Sequence, residues 1–206
     1  MKSRNRHIFN RSFAFGISPK ALIASAIIAT FPAVALAGPS VGIGYSDIGL
    51  SGHSGRPGVT VTAGNLYSNN VVASGSAALA SNYCGFHSDL GKLVPTDGTV
   101  SFEPYVSLGL VNMNYNQQFQ PGITDFYGLA GVNLNVPIGS KVALQFGGGY
   151  GHTIDTFSGA SGAVYKGKAE VGFEIAQHVT ANLNVRYLHV PGQPVTTEGA
   201  GLAYQF

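Results

Sequence analysis

The sequence predicts an all-β protein, an antiparallel up-and-down β-barrel that crosses a membrane with about eight strands. Three observations predict it. Only 10% of the 206 residues are charged while 45% are hydrophobic, against roughly 25% charged in an average soluble domain. From residue 57 onward, apolar residues alternate with small or polar ones. The one long unbroken apolar run lies at the N-terminus, which argues against a multi-span helical membrane protein, and the apolar content argues against a disordered chain. The 29 glycines, about twice the usual share, suit a sheet with one cramped face.

Residues 1–37 have the three zones of a secretory signal. Lys2, Arg4, Arg6, Arg11 and Lys20 form the basic zone, an apolar run extends from Ala21 to Phe31, and Ala35-Leu36-Ala37 precedes Gly38 as an A-x-A cleavage site. A permanent anchor helix is the alternative, but the run from Ala21 to Ala37 is short and holds Pro32. Beyond residue 37 there are six Lys and Arg against nine Asp and Glu, 6 − 9 = −3. The basicity of the whole chain therefore belongs to export, and nucleic acid is not an expected partner. Cys84 is the only cysteine, so no internal disulfide is possible. It reads as a small packing residue near a strand end. No Cys/His spacing suggests a metal, and no cofactor is expected.

The strands follow in order. Segments near 58–67, 70–83, 99–115, 123–137 and 141–154 all alternate. Phe126, Ala130, Val132, Leu134 and Val136 form one apolar face, and Val142, Leu144, Phe146 and Tyr150 another. Next, Tyr165, Ala169, Val171, Phe173 and Ile175 oppose Lys166, Lys168, Glu170 and Glu174. Then Val179, Ala181, Leu183, Val185 and Tyr187 oppose Thr180, Asn182, Asn184 and Arg186. Last, Ala200, Leu202, Tyr204 and Phe206 oppose Gly199, Gly201, Ala203 and Gln205. Alternate side chains of a strand point to opposite faces, so extended chain separates these sets and a helix would mix them. Turn formers divide the segments: Ser68-Asn69-Asn70, Pro95-Thr96-Asp97-Gly98, Gln120-Pro121-Gly122, Ile138-Gly139-Ser140, Ser158-Gly159-Ala160-Ser161-Gly162 and Pro191-Gly192-Gln193-Pro194.

A soluble sandwich would turn its second faces to water and fill them with Lys, Glu and Thr. Here those faces hold mostly Gly, Ser, Ala, Asn and Gln, which fit a narrow lumen, leaving the apolar set for lipid. Tyr67, Tyr83, Phe102, Tyr150, Phe157, Tyr187, Tyr204 and Phe206 stand at strand ends as an interfacial girdle would.

The terminus Gly199-Ala200-Gly201-Leu202-Ala203-Tyr204-Gln205-Phe206 resembles the closing strand of bacterial outer-membrane β-barrels. Glu103-Pro104-Tyr105-Val106-Ser107-Leu108-Gly109-Leu110 looks like a strand of small barrels of the OmpA/OmpX type. The likeness covers residues 57–206, and extends more loosely to YfaZ-type proteins, which have a short glycine-rich segment before the first hairpin. It implies an outer-membrane location and a C-terminal signal on Leu202, Tyr204 and Phe206 read by the barrel assembly machinery. It also implies contact with outer-membrane lipids, lipopolysaccharide included, and a monomer.

Residues 40–48 also alternate, with Val41, Ile43 and Tyr45 against Gly42, Gly44 and Ser46. Bacterial single-chain barrels have even strand numbers, so nine strands do not fit. Either residues 38–56 are an N-terminal extension, or a tenth strand hides near 85–94. Eight strands over 57–206 plus an extension is the preferred count. It puts turns near 96, 139 and 177 on the periplasmic side and loops near 68, 118, 158 and 193 outside.

The alternation directs Glu103, Lys166, Lys168, Glu170, Glu174 and Arg186 into the lumen. An eight-stranded barrel is just wide enough for its own side chains. These charges therefore read as a salt-bridge network filling the interior rather than a selectivity filter. The expected role is structural or surface-interacting, with a small porin as first alternative. A lipid-active enzyme is the second. Lipid A deacylase barrels carry a His-x-Ser-Asn pattern, but His189 is followed by Val190 and Pro191, and His152 with Thr153 and Asp155 is only a weak echo of a triad. His53 and His87 read as loop residues. No residue is expected to be catalytic. Gly147-Gly148-Gly149 lies within a strand and reads as close packing.

Overall fold

The computed structural model describes residues 38–50, 55–96, 100–113, 122–157 and 160–206. The export signal (1–37), His53 and the tips of several connections, among them Asp97-Gly98, Gln120-Pro121 and Ser158-Gly159, lie outside the described residues. The strands are β1 (Gly38–Leu50), β2 (Arg56–Leu66), β3 (Val71–Ala80), β4 (Tyr83–Lys92), the two-residue β5 (Val94–Pro95), β6 (Ser101–Met113), β7 (Ile123–Ile138), β8 (Val142–Thr156), β9 (Ala163–Ala176), β10 (Val179–Val190) and β11 (Gln193–Gln205). Each pairs antiparallel with its sequence neighbour, except that β4 and β5 do not pair with each other. β1 also pairs with β11, and β4 pairs with β6. Leaving β5 aside as a short addition at the end of β6, ten strands close into a barrel.

The count of ten corrects the expected eight, and two segments account for the difference. Residues 38–50 are no extension: β1 runs from Ser40↔Gln205 to Leu50↔Val195 on one side and from Gly38↔Leu66 to Ile48↔Arg56 on the other. The second is the alternative tenth strand near 85–94, which the structure places at Tyr83–Lys92 after a shortened 70–83 strand. β3 ends at Ala80, a turn forms at Ser81-Asn82, and β4 returns through Leu79↔Cys84 to Val71↔Lys92. The alternation in β4 is weak because its inward set is Gly85, His87, Asp89 and Gly91 and its outward set is broken by Ser88. A two-residue turn without Gly or Pro completes the concealment.

The extra hairpin also reverses one end assignment. Residues 67–70, 93–96, 100, 139–141 and 177–178 lie at the end that carries Gly38 and Gln205, called here the terminal end. Residues 55, 81–82, 122, 157, 160–162 and 191–192 lie at the far end. The turn near 68 thus sits beside the termini, where the Leu93 N–H reaches the Asn70 carbonyl at 2.8 Å. Tight turns at both ends use left-handed backbone, at Asn70 (φ 64°), Gly139 (φ 69°), His178 (φ 64°) and Gly192 (φ 82°), where side chains other than Asn or Asp are disfavoured.

Pairing lines traced from Ser46 meet β6 at two places. One way they pass Gly199, Asn184, Glu170, Gln145 and Asn135 to Ser101. The other way they pass Gly58, Ala80 and Tyr83 to Met113. The stagger is 113 − 101 = 12 residues. With about 3.3 Å per residue and about 4.8 Å between strands, it tilts the strands by about 40°. A 12-residue strand such as β10 then spans about 30 Å, enough for the apolar band of about 25 Å that such barrels present to lipid.

The outward set is what the alternation predicts: Val41, Ile43, Val59, Val61, Val106, Leu108, Val132, Phe146, Leu183, Val185 and Leu202 are all exposed large hydrophobic side chains. One girdle assignment fails. Tyr83 points into the lumen and is buried, because it begins β4 rather than ending β3. Cys84 is half-buried on the outward face beside it, near a strand end as expected.

Removing residues 38–50 takes away the strand that joins β2 to β11, so the truncated chain should fail to regain a compact, heat-modifiable band on refolding. An eight-stranded barrel with a dispensable extension would keep that band.

Candidate functional site

The lumen is layered along the barrel axis. At the far end, Ile48 and Leu50 of β1, Val111 and Met113 of β6, Tyr127 and Leu129 of β7, Val164 of β9, Val190 of β10 and Val195 of β11 form one buried apolar cluster with Tyr83. These are inward positions, and Met113, Val164 and Val190 are 0% exposed. The interior is therefore packed with hydrocarbon there, although the residues below it are polar.

Below the apolar cluster lies a layer of charge. Lys166 reaches across from β9 and donates from Nζ to Asp89 Oδ1 at 3.0 Å and Oδ2 at 3.3 Å on β4, with Ser107 Oγ at 3.5 Å. Its ammonium also lies 4.8 Å from the centre of the Tyr105 ring, within cation–π range. Arg186 on β10 donates from Nη1 to Ser76 Oγ of β3 at 3.4 Å, and Nη2 stands 3.7 Å from Glu170 Oε2. His87 sits against Ser76 Oγ, 3.1 Å from Nδ1, and 4.0 Å from Asp89. Nearer the terminal end, amides take over. Gln145 Nε2 donates to Asn135 Oδ1 at 2.6 Å, and Glu103 is buried beside them.

Glu103, Lys166, Lys168, Glu170 and Arg186 therefore all occupy the lumen, and the contacts join Lys166 to Asp89 and Arg186 to Glu170. Lys168 makes no hydrogen bond or ion pair among the described residues; Glu170, Asp89 and Glu103 act on it at longer range. Glu174 is inward by register, opposite Thr180, but it stands half-buried at the terminal-end mouth, outside the charge layer. Asp89 and His87 are the site residues that the sequence reading missed. His87 is corrected from loop to β4, and the signal that could have found both is the faint Phe86/Leu90 alternation around them.

Three inward tyrosines explain part of the glycine content. The Tyr83 ring lies over Gly85 of its own strand, the Tyr127 ring over Gly109 of the neighbouring β6, and the Tyr105 hydroxyl stands 2.8 Å from where a side chain on Gly149 would begin. A Cβ at any of these positions would displace a ring. Gly147 and Gly149 of the glycine run are thus close packing, whereas Gly148 points outward with only the Lys166 carbonyl near, at 3.8 Å.

The remaining candidates sit apart. His189 is outward, stacked on Tyr165 with ring centres 4.4 Å apart. His152 turns Nδ1 to the Thr153 carbonyl at 2.9 Å. At the terminal end, Leu202, Tyr204 and Phe206 project outward. Tyr204 meets the Phe206 ring edge-on at 5.1 Å and His178 at 6.2 Å, while the Phe206 N–H donates to the Pro39 carbonyl at 3.0 Å.

Replacing Lys166 with Met leaves the Asp89 carboxylate buried without its partner, a loss of about 3–5 kcal/mol for such a pair. Urea unfolding in detergent micelles should show it, and Lys166→Met with Asp89→Leu should recover most of the stability. Likewise Gly109→Val should cost about 1–3 kcal/mol by overpacking against Tyr127, and adding Tyr127→Ala should relieve the clash. If the Gly109→Val loss is unchanged in the Tyr127→Ala background, the ring-over-glycine contact is not its cause.

No family profile and no curated protein sequence matches this chain. Among solved structures, it is similar to the translocator domain of the autotransporter NalP from Neisseria meningitidis, at 10% identity over 83% of this chain and 89% of that one, TM-score 0.47. It is also similar to the NanC porin, at 9% identity over 81% of this chain and all of that one, TM-score 0.49. A third similarity is to the Yersinia pestis outer membrane protein Ail in a phospholipid nanodisc, at 15% identity over 83% of this chain and all of that one, TM-score 0.47. Likenesses this loose carry no argument about function. The neighbours are outer-membrane β-barrels, and this chain's own strand pairing makes it a closed antiparallel barrel.

Proposed function

We propose that this chain is an outer-membrane barrel whose interior is closed and whose role is structural or surface-interacting. The observation that carries the reading is the apolar cluster inside the far end. Met113, Val111, Ile48, Val164, Val190 and Val195 are essentially without exposed surface, and they lie in series with the charge layer. An ion or sugar entering the lumen would have to pass through packed hydrocarbon. In this reading the apolar outer belt faces lipid, lipopolysaccharide surrounds the far end, and the chain works as a monomer through its far-end loops. Leu202, Tyr204 and Phe206 serve as the strand signal for assembly, and no residue is catalytic. His189 is occupied by its stack on Tyr165 rather than set beside a serine.

The small-porin reading stays as the competitor because ten strands enclose a wider lumen than eight, and the charged residues supply a polar lining. Planar-bilayer recording separates the two. The closed barrel should add no steady conductance. A stable current that changes when Lys166 or Glu170 is neutralised would overturn the closed-interior reading in favour of the porin. Fractionation should recover the chain from the outer membrane; recovery from soluble periplasm would defeat the membrane assignment itself.

A further inference from the structure

Between the charge layer and the apolar cluster lies a chamber of about 70 Å³, lined by side chains from β2, β3, β4, β6, β7, β9, β10 and β11. A water needs roughly 10–15 Å³ measured this way, so the space holds a few waters or one small ion with water. Its charged lining is uneven: Lys166, Lys168 and Arg186 against Asp89 alone, with His87 beside them. Glu103 and Glu170 do not line it, although Glu170 reaches Arg186 Nη2 from outside at 3.7 Å, so the lining itself carries more cationic than anionic groups.

The cations facing it are short of acceptors. Lys166 is satisfied by Asp89. Arg186 has five N–H donors, of which Nη1 and Nη2 make contacts of only 3.4 and 3.7 Å, and Nε is buried with no partner. Lys168 has three donors and makes no hydrogen bond or ion pair among the described residues. Arg186 Nε is a buried donor without an acceptor and Lys168 is half-buried, so an acceptor supplied to both stabilises the fold. Another basic side chain would worsen the imbalance, and water offers acceptors without charge. A guest that only accepts and carries one negative charge satisfies both terms.

We propose that the chamber is a binding site for a small monovalent inorganic anion, of the size of chloride, held by Lys168 Nζ and the Arg186 guanidinium. The anion completes the charge layer and stabilises the folded barrel. The inference deepens the closed-interior reading, which makes the chamber a fixed site rather than a point on a conduction path.

The test uses the full chain refolded in detergent in sodium bromide, with refolding in sodium gluconate as control because gluconate is too large for the chamber. Anomalous diffraction from crystals grown in bromide should show a peak in the chamber within contact of Lys168 Nζ and Arg186. In urea unfolding at fixed ionic strength, bromide should raise the midpoint in a saturable way. Lys168→Met should weaken the apparent bromide affinity at least tenfold. A chamber holding only water in bromide crystals overturns the proposal, as does a bromide dependence that Lys168→Met leaves unchanged. If Lys168→Met does not refold, the diffraction result on the unaltered chain decides alone. Failure here is distinct from failure of the closed-interior reading. A conducting barrel fails in the bilayer whether or not it binds bromide, and an empty chamber leaves the bilayer result untouched.

Discussion

Closure is the constraint on which everything else depends. In hydrocarbon no water satisfies a backbone N–H or C=O, so a sheet can span lipid only if its first and last strands find each other. In this chain β1 meets β11 over eleven consecutive pairs, from Ser40↔Gln205 to Leu50↔Val195. The strand number and the 12-residue stagger together set the tilt and width of the lumen. The lumen in turn decides which inward side chains are possible. Glycine appears where a tyrosine ring must lie flat against the wall, and long charged side chains appear where they must reach the opposite wall.

The interior is two kinds of medium end to end. Its far half is packed as a soluble protein's core is packed, with valines, Met113 and tyrosine rings. Its other half is built of amides and charged side chains, only some of which pair with one another. The division follows from position. Inward residues next to the far-end loops, such as Leu50, Val190 and Val195, are apolar, whereas their counterparts toward the termini, such as Asn182, Gln145 and Ser40, are polar. A barrel meant to pass water would be expected to keep acceptors and donors along its whole length. That contrast, more than any single residue, favours a sealed interior.

Much of this was legible in residue order alone. Strict alternation in 165–175, 179–187 and 199–206 assigns each side chain to lipid or lumen without reference to neighbours. What alternation does not encode is who meets whom across the lumen. Lys166 and Asp89 are brought together by the stagger of the whole barrel, a global property. β4 was hidden for a local reason. His87 and Asp89 are hydrophilic on a face usually filled by Gly, Ser and Asn, Ser88 interrupts the greasy face, and Ser81-Asn82 lacks the usual turn residues. One missed hairpin then displaced the strand count, the role of residues 38–50 and the end assigned to residue 68 together.

The two ties across the lumen have a mechanical consequence. In ring order, β4 and β9 are separated by three strands, β6, β7 and β8, and β3 and β10 by three on the other side, β2, β1 and β11. The Lys166–Asp89 and Arg186–Ser76 contacts are therefore parallel chords, both crossing the line that joins β1 to β7. They brace the cross-section against widening along their own direction and leave it compliant along the other. Under lateral pressure from the bilayer, the barrel flexes as an ellipse whose orientation is fixed by four side chains.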